Sequence, residues 1–127
     1  MNDFAGRANT TAIINGSTSS NVTNTEAYAA GFCNKYSRTN ANGKGLTAGR
    51  WWLPSMGEMA MILANFDKIN YALSKISGAI QLNTTPYWSS TQGSAGSAWY
   101  WGLGVGYMGD YWKFIQYSVR PVSAFSY

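Results

Sequence analysis

The residues from which this chain could assemble acid–base, nucleophilic or metal chemistry are few. They are five carboxylates, Asp3, Glu26, Glu58, Asp67 and Asp110, and a single thiol, Cys33, with no histidine anywhere. The commonest general base and metal ligand is therefore missing. One cysteine closes no disulfide within the domain and builds no Cys-ligated zinc site. Three of the acids stand where a helix would begin. Thr23 with Glu26, and Ser55 with Glu58, have the spacing of capping boxes, and Asp67 can cap a further helix. Asp3 lies near the chain start. No paired carboxylates are visible, no acidic cluster resembles a calcium loop, and no glycine-rich loop opens a helix as a phosphate site would. The expectation is a protein that is not an enzyme, with no catalytic residue, no cofactor and no metal.

The elements that would position any site follow from periodicity. Residues 1 to 22 read as polar, with one apolar pair, Ile13-Ile14, and then a Ser/Thr/Asn-rich loop. Behind the Thr23 cap, Ala29, Phe32, Cys33 and Tyr36 share one helical face, which makes Cys33 a core residue. Thr39 to Gly49 reads as a loop. Trp51-Trp52-Leu53 is a short strand stopped by Pro54. Beyond the Ser55 cap, Met56, Met59, Leu63 and Phe66, with Ile62 beside them, form a helical stripe. Ile69, Ala72, Leu73 and Ile76 share a face of the next helix, and Gly78 is a natural stop. From Tyr87 the period shortens to two. Trp99, Trp101, Leu103 and Val105 alternate with Tyr100, Gly102, Gly104 and Gly106, so one strand face is bulky and the other is left open by glycine. Residues 111 to 117 and 118 to 125 read as two more strands, the last demoted to an edge or a bulge by Pro121. The order predicts one α+β domain over residues 1–127, two to three helices packed on a mainly antiparallel sheet.

The segment Tyr107-Met108-Gly109-Asp110-Tyr111-Trp112-Lys113-Phe114-Ile115-Gln116-Tyr117 does not alternate cleanly. As a hairpin arm it carries large apolar groups on both faces, and only one can face the core. The other is expected to be exposed and to meet a partner. Tyrosine and tryptophan suit that task, because they offer large contact area with few rotors to freeze.

Charge and composition narrow the partner. Charged residues make up 11% of the chain and aromatic residues 16%, so Ser, Thr, Asn, Gly and Tyr must cover much of the surface. The net charge is +4, but Arg7, Lys35, Arg38, Lys44, Arg50, Lys68 and Lys75 precede the aromatic end, which holds Lys113 and Arg120 alone. Nucleic-acid binding calls for cations interleaved with stacking rings, and here the two are segregated. No run reaches the roughly 18 apolar residues of a membrane span, so no membrane insertion is expected. Met1-Asn2-Asp3 does not open a signal peptide, and the expectation is the C-terminal domain of a longer chain.

Four ordered motifs carry a resemblance. They are Trp51-Trp52-Leu53-Pro54-Ser55-Met56-Gly57-Glu58, Tyr87-Trp88-Ser89-Ser90-Thr91, Ala98-Trp99, and Val119-Arg120-Pro121-Val122-Ser123-Ala124-Phe125, preceded by Asp3-Phe4-Ala5-Gly6-Arg7-Ala8-Asn9-Thr10. Together they resemble the C-type-lectin-fold variable proteins of diversity-generating retroelements, found in Bacteroides-type bacteria and their phages. The resemblance covers essentially the whole chain. It implies a C-type-lectin-like fold and a ligand- or receptor-binding domain whose hypervariable surface sits on an invariant scaffold. The place it implies is a phage virion, at the tip of a tail fibre, or a bacterial cell surface. The implied partner is an unknown protein or glycan on a bacterial cell surface. A non-diversified adhesin or carbohydrate-binding module on the same fold is the alternative, and a homo-oligomer joined through the aromatic face is another.

In such proteins the retroelement rewrites adenines near the 3′ end of the gene. Carried onto this chain, the variable face would hold Tyr100, Gly102, Gly104, Val105, Tyr107, Met108, Gly109, Asp110, Tyr111, Trp112, Phe114, Ile115 and Tyr117. Met108 and Trp112 cannot be reached from an asparagine codon by adenine changes and need another starting codon. Trp51, Glu58, Trp88, Trp99 and Arg120 would be structural, and Glu58 is expected to pair with Arg120, tying the second helix to the last strand. The Glu-Pro-Asn-type triplet and paired disulfides of calcium-dependent lectins are absent, so calcium-dependent sugar binding is not implied. Formylglycine-generating relatives rely on cysteine chemistry that Cys33 alone does not supply.

Overall fold

A computed structural model describes residues 3–16, 27–102 and 107–124. In chain order the elements are α1 (Gly6–Gly16), α2 (Ala29–Lys35), β1 (Arg38–Thr39), β2 (Gly45–Leu46), α3 (Met56–Ala64), α4 (Phe66–Ser74), β3 (Pro86–Gln92), β4 (Ser97–Gly102) and β5 (Tyr107–Trp112). The α+β class is as expected: among the described residues four helices accompany two small antiparallel sheets, a β1-β2 ribbon and a three-stranded β3-β4-β5 sheet.

The best-specified element is α3. Ser55 accepts from the Glu58 amide, and the Glu58 carboxylate accepts from the Ser55 amide at 2.8 Å, so the capping box forms as its spacing predicts. The helix stripe then seals the core. Met56, Met59, Leu82, Tyr87 and Trp101 are buried together, with Ile62, Leu63, Phe66, Ile69 and Trp99 packed around them. The Trp101 indole N–H reaches the Met56 carbonyl at 3.3 Å, which satisfies a buried donor and locks sheet to helix. Below α4, Asn70 grips both backbone groups of Leu82, accepting at 2.7 Å and donating at 2.9 Å.

Several expectations change. The opening segment, read as polar with one apolar pair and given no element, contains α1. Its amphipathic signal is weak, and long-range contacts hold it. The Thr10 hydroxyl accepts from the Leu53 amide at 3.0 Å, and Gly6 lies so close to the Glu58 carboxylate and Trp52 that any side chain there would collide. Asp3 is more than a terminal residue. Its carboxylate accepts from Thr91, Asn9 and the Ala5 amide, and its carbonyl from the Ser55 hydroxyl and the Gly57 amide. The Thr39–Gly49 loop holds the β1-β2 ribbon. The cap of α4 is Asn65, whose side chain donates back to the Met61 carbonyl and makes no capping bond, and Asp67 lies inside the first turn. Gly78 follows in the left-handed region at φ 76°, where a stop was expected.

Trp51-Trp52-Leu53 and the described part of the last expected strand, residues 118–124, contribute single bridges rather than strands, Trp52 to Val122 and Tyr87 to Ser118. Pro121 sits in that last segment and cannot donate to a ladder. Glu58 and Arg120 do not pair. The Glu58 carboxylate is committed to its cap, and Arg120 donates to the Ile80 carbonyl at 2.7 Å. The Thr23–Glu26 cap lies outside the described residues.

Candidate functional site

The register of the larger sheet assigns its two faces. Tyr100 stands opposite Trp88 on one side and Gly109 on the other, while Trp101 stands opposite Tyr87 and Met108. Directly opposed residues share a face. One face therefore carries Tyr87, Trp99 and Trp101, which the helices cover. The opposite face carries Trp88, Tyr100, Gly102, Tyr107, Gly109 and Tyr111.

That second face is not bare. The chain returns across it, and Tyr117 packs on Trp88 and Tyr100 with ring centroids 4.8 Å away in each case. The Trp88 indole N–H donates to the Ile115 carbonyl at 3.1 Å. Tyr100 and Gly102, expected on the exposed side, are consequently buried, Tyr100 to 8% exposure. Each ring of a cross-strand pair covers a glycine. A Cβ at Gly109 would stand 3.2 Å from the Tyr100 phenol oxygen, and one at Gly102 would stand 3.0 Å from the Tyr107 ring. These glycines make room for rings from the protein itself. Hydrogen bonding to Tyr107, then burial, then the neighbouring phenols of Tyr107 and Tyr117 push the Tyr100 hydroxyl up to about 12.

Solvent is reached at β5, which lies at the sheet edge. Tyr107 and Tyr111 are exposed on the tyrosine face, and Met108, Asp110 and Trp112 are exposed on the other, so the helices do not cover this strand. Phe114, just beyond, is 78% exposed and lies within 10° of parallel to the Trp112 ring, with centroids 6.3 Å apart. Of the remaining expected site residues, Gly109, Ile115 and Tyr117 are half-buried, and Gly104 and Val105 lie outside the described residues. The structure thus gathers Tyr107, Met108, Asp110, Tyr111, Trp112 and Phe114 at one exposed end and withdraws Tyr100 and Gly102 into the packing beneath it.

The β3–β4 turn frames that end. A Cβ at Gly93 would stand 2.7 Å from the Asp110 carboxylate, and the Ser97 hydroxyl donates to that carboxylate at 3.1 Å. Lys113 donates to the Ala95 carbonyl at 3.0 Å, and partial burial lowers its pKa. The expected structural tryptophans divide. Trp88 is buried, Trp99 is half-buried at the core margin, and half-buried Trp51 donates to the Leu46 carbonyl at 3.0 Å and meets Tyr36 edge-on.

Asp3 and Glu58 are employed structurally, and among the described residues no three His, Cys, Asp or Glu side chains gather as a metal site. Cys33 is fully buried, and desolvation pushes its thiol up to about 12, where it is a core side chain and not a nucleophile. Among the described residues no helix is long and apolar enough to cross a membrane.

A second concavity escaped the sequence reading. An open cleft of about 710 Å³ lies between α1 and the Trp52–Glu58 segment, lined by Phe4, Arg7, Thr11, Trp52 and Glu58 among others. The Arg7 guanidinium stands 5.8 Å from the Trp52 ring centroid. Its only sequence signal was α1 itself, which was not predicted. No protein-family model, curated protein or solved structure matches this chain.

Proposed function

We propose that this domain is a ligand-binding module that grips a protein or glycan on a bacterial surface through the exposed end of β5. In this reading the scaffold is C-type-lectin-like, the binding face is diversified by a retroelement, and the place of action is a phage tail-fibre tip or a cell surface. The observation that carries the binding role is the exposure of Tyr107, Met108, Tyr111, Trp112 and Phe114 together at one sheet edge. Large apolar groups so clustered mark interaction sites, and rings gain contact area at small entropic cost. Binding by this face needs no bond-breaking chemistry.

The test is the quadruple variant Tyr107→Ser, Tyr111→Ser, Trp112→Ser, Phe114→Ser. It should fold, by circular dichroism and a cooperative melt, and lose binding to bacterial surface extracts and glycan arrays that retain the wild type. A variant that does not fold would reassign those rings to the core. A folded variant that binds as the wild type does would reject the face.

One observation favours a second reading, a non-diversified adhesin or carbohydrate-binding module. Gly109 lies beneath the buried Tyr100 ring, which resists free replacement at a position the retroelement would vary. A reverse-transcriptase gene beside this one, with a near-copy of its 3′ end differing at adenines, separates the two readings. Mass in solution tests whether the face instead joins copies of the chain.

A further inference from the structure

We propose that the helix-side overhang of β5, formed by Asp110 and Trp112 with Phe114, takes a guanidinium group: an arginine side chain presented by a protein partner. The proposal rests on the ligand-binding reading and names the chemistry that one part of the face recognises.

Asp110 is two residues from both Met108 and Trp112 on the same strand, so all three project to one side of the sheet, and all three are exposed. The Asp110 carboxylate is only partly satisfied. One oxygen accepts from the Ser97 hydroxyl at 3.1 Å, and among the described residues that is its hydrogen bond. A carboxylate offers about four acceptor sites, so most of its capacity faces outward.

The surroundings keep it open. A Cβ at Gly93 would stand 2.7 Å from the bonded oxygen and 2.8 Å from the Ser97 hydroxyl, so glycine there makes the Asp110–Ser97 contact possible. On the same side, the Trp112 six-membered ring lies against Gly96, 3.7 Å from the Cβ position, and Phe114 lies nearly parallel to it with centroids 6.3 Å apart. The cation next in sequence, Lys113, donates to the Ala95 carbonyl.

A solvent-facing carboxylate beside a flat indole suits one group in particular. The guanidinium is planar, forks two N–H donors to a carboxylate, and stacks on an aromatic face in the same pose. An ammonium is compact and strongly hydrated and fits this pairing less well. A neutral sugar can also stack on the rings and donate hydroxyls to Asp110, but it brings no charge to the carboxylate. The two cations of this part of the chain are turned elsewhere, Lys113 to the Ala95 carbonyl and Arg120 to the Ile80 carbonyl.

The experiment is an NMR titration of the ¹⁵N-labelled domain with three blocked tripeptides, Gly-Arg-Gly, Gly-Lys-Gly and Gly-citrulline-Gly. The expected result is saturable shifts at the Trp112 indole N–H and the Asp110 amide with the arginine peptide. Binding should be several-fold weaker with lysine, at least tenfold weaker with neutral citrulline, and weakened by added salt. Asp110→Asn and Trp112→Ala should each weaken arginine binding at least tenfold. Met61→Ser, an exposed change on α3, should leave it unchanged. If either site variant does not fold, the wild-type shift map and the citrulline comparison decide. Equal binding of arginine and citrulline, shifts away from Trp112 and Asp110, or no saturable binding each overturn the proposal. A native ligand that Asp110→Asn still binds but the quadruple serine variant does not would overturn the guanidinium assignment and leave the binding face intact.

Discussion

The ring of Tyr100 lies over Gly109, its directly opposed partner on β5, with the phenol oxygen 3.2 Å from where a Cβ would be. Gly102 and Tyr107, the next pair on that face, repeat the arrangement with the ring on the other strand. The two pairs differ in what can give way, because Tyr100 is buried and Tyr107 is exposed. Gly109→Val should therefore destabilise the domain by about 1–3 kcal/mol, the usual cost of overpacking. Gly102→Val should cost less, since Tyr107 can swing outward. Denaturant titrations would show the difference, and in a double-mutant cycle Tyr100→Ala should relieve part of the Gly109→Val loss.

Tyr100 should also ionise late. Its hydroxyl is pushed up to about 12, so in an ultraviolet pH titration its step should fall well above the ordinary phenol value near 10. Tyr100→Phe should remove that late step. A raised acid pKa means the folded state prefers the neutral phenol. Its contribution is complete below the unfolded value near 10 and is lost as pH climbs through about 12.

Asp3 gives the opposite dependence. Burial pushes its carboxyl up, but hydrogen bonds from Thr91, the Ala5 amide and Asn9 outweigh that and hold it below its ordinary value. A depressed carboxyl contributes stability above its unfolded pKa and loses it as pH falls through the folded one. Melting temperature should begin to drop below about pH 4, and Asp3→Asn should flatten that limb. At neutral pH Asp3→Ala should cost about 1.5–3 kcal/mol, the scale of hydrogen bonds to a charged group.

Local signals were legible and distant ones were not. The Ser55–Glu58 capping box and the Met56, Met59, Leu63 part of the stripe involve neighbours within a few turns and form on α3 as their spacing predicts, whereas Phe66, expected on the same helix, begins α4. The exposed aromatics of β5 were legible for a similar reason: a strand with rings on both sides cannot bury both. Tyr100 was misplaced because its cover, Tyr117, comes from a return of the chain that strand alternation does not encode. The helix α1 was missed because its support is tertiary, through Thr10 and Gly6. The Glu58–Arg120 pair failed because each group found a nearer partner.

That failure has a measurable consequence. A buried ion pair would make Arg120→Ala cost several kcal/mol, of order 3–5. A single exposed bond to the Ile80 carbonyl predicts about 0.5–1.5 kcal/mol instead. Glu58→Gln should add to it independently, since the two side chains share no contact.

Cys33 should resist thiol reagents at pH 8 while the domain is folded, and react fully in denaturant. Its thiol is buried and pushed up to about 12, so the thiolate is scarce and inaccessible. Cys33→Ser should destabilise by about 1–3 kcal/mol, by placing a hydroxyl in an apolar site.

The Trp52–Ser55 segment is where both ends of the chain dock. Val122 exchanges two backbone bonds with Trp52, and Asp3 accepts from the Ser55 hydroxyl. Ser118 likewise clasps β3 between Pro86 and Trp88. Such closures span most of the sequence, so a nascent chain must hold its helices ready until residue 122 has emerged. Folding of the domain should then be late and all-or-none, and slow for its size, because distant closures are entropically the hardest to make.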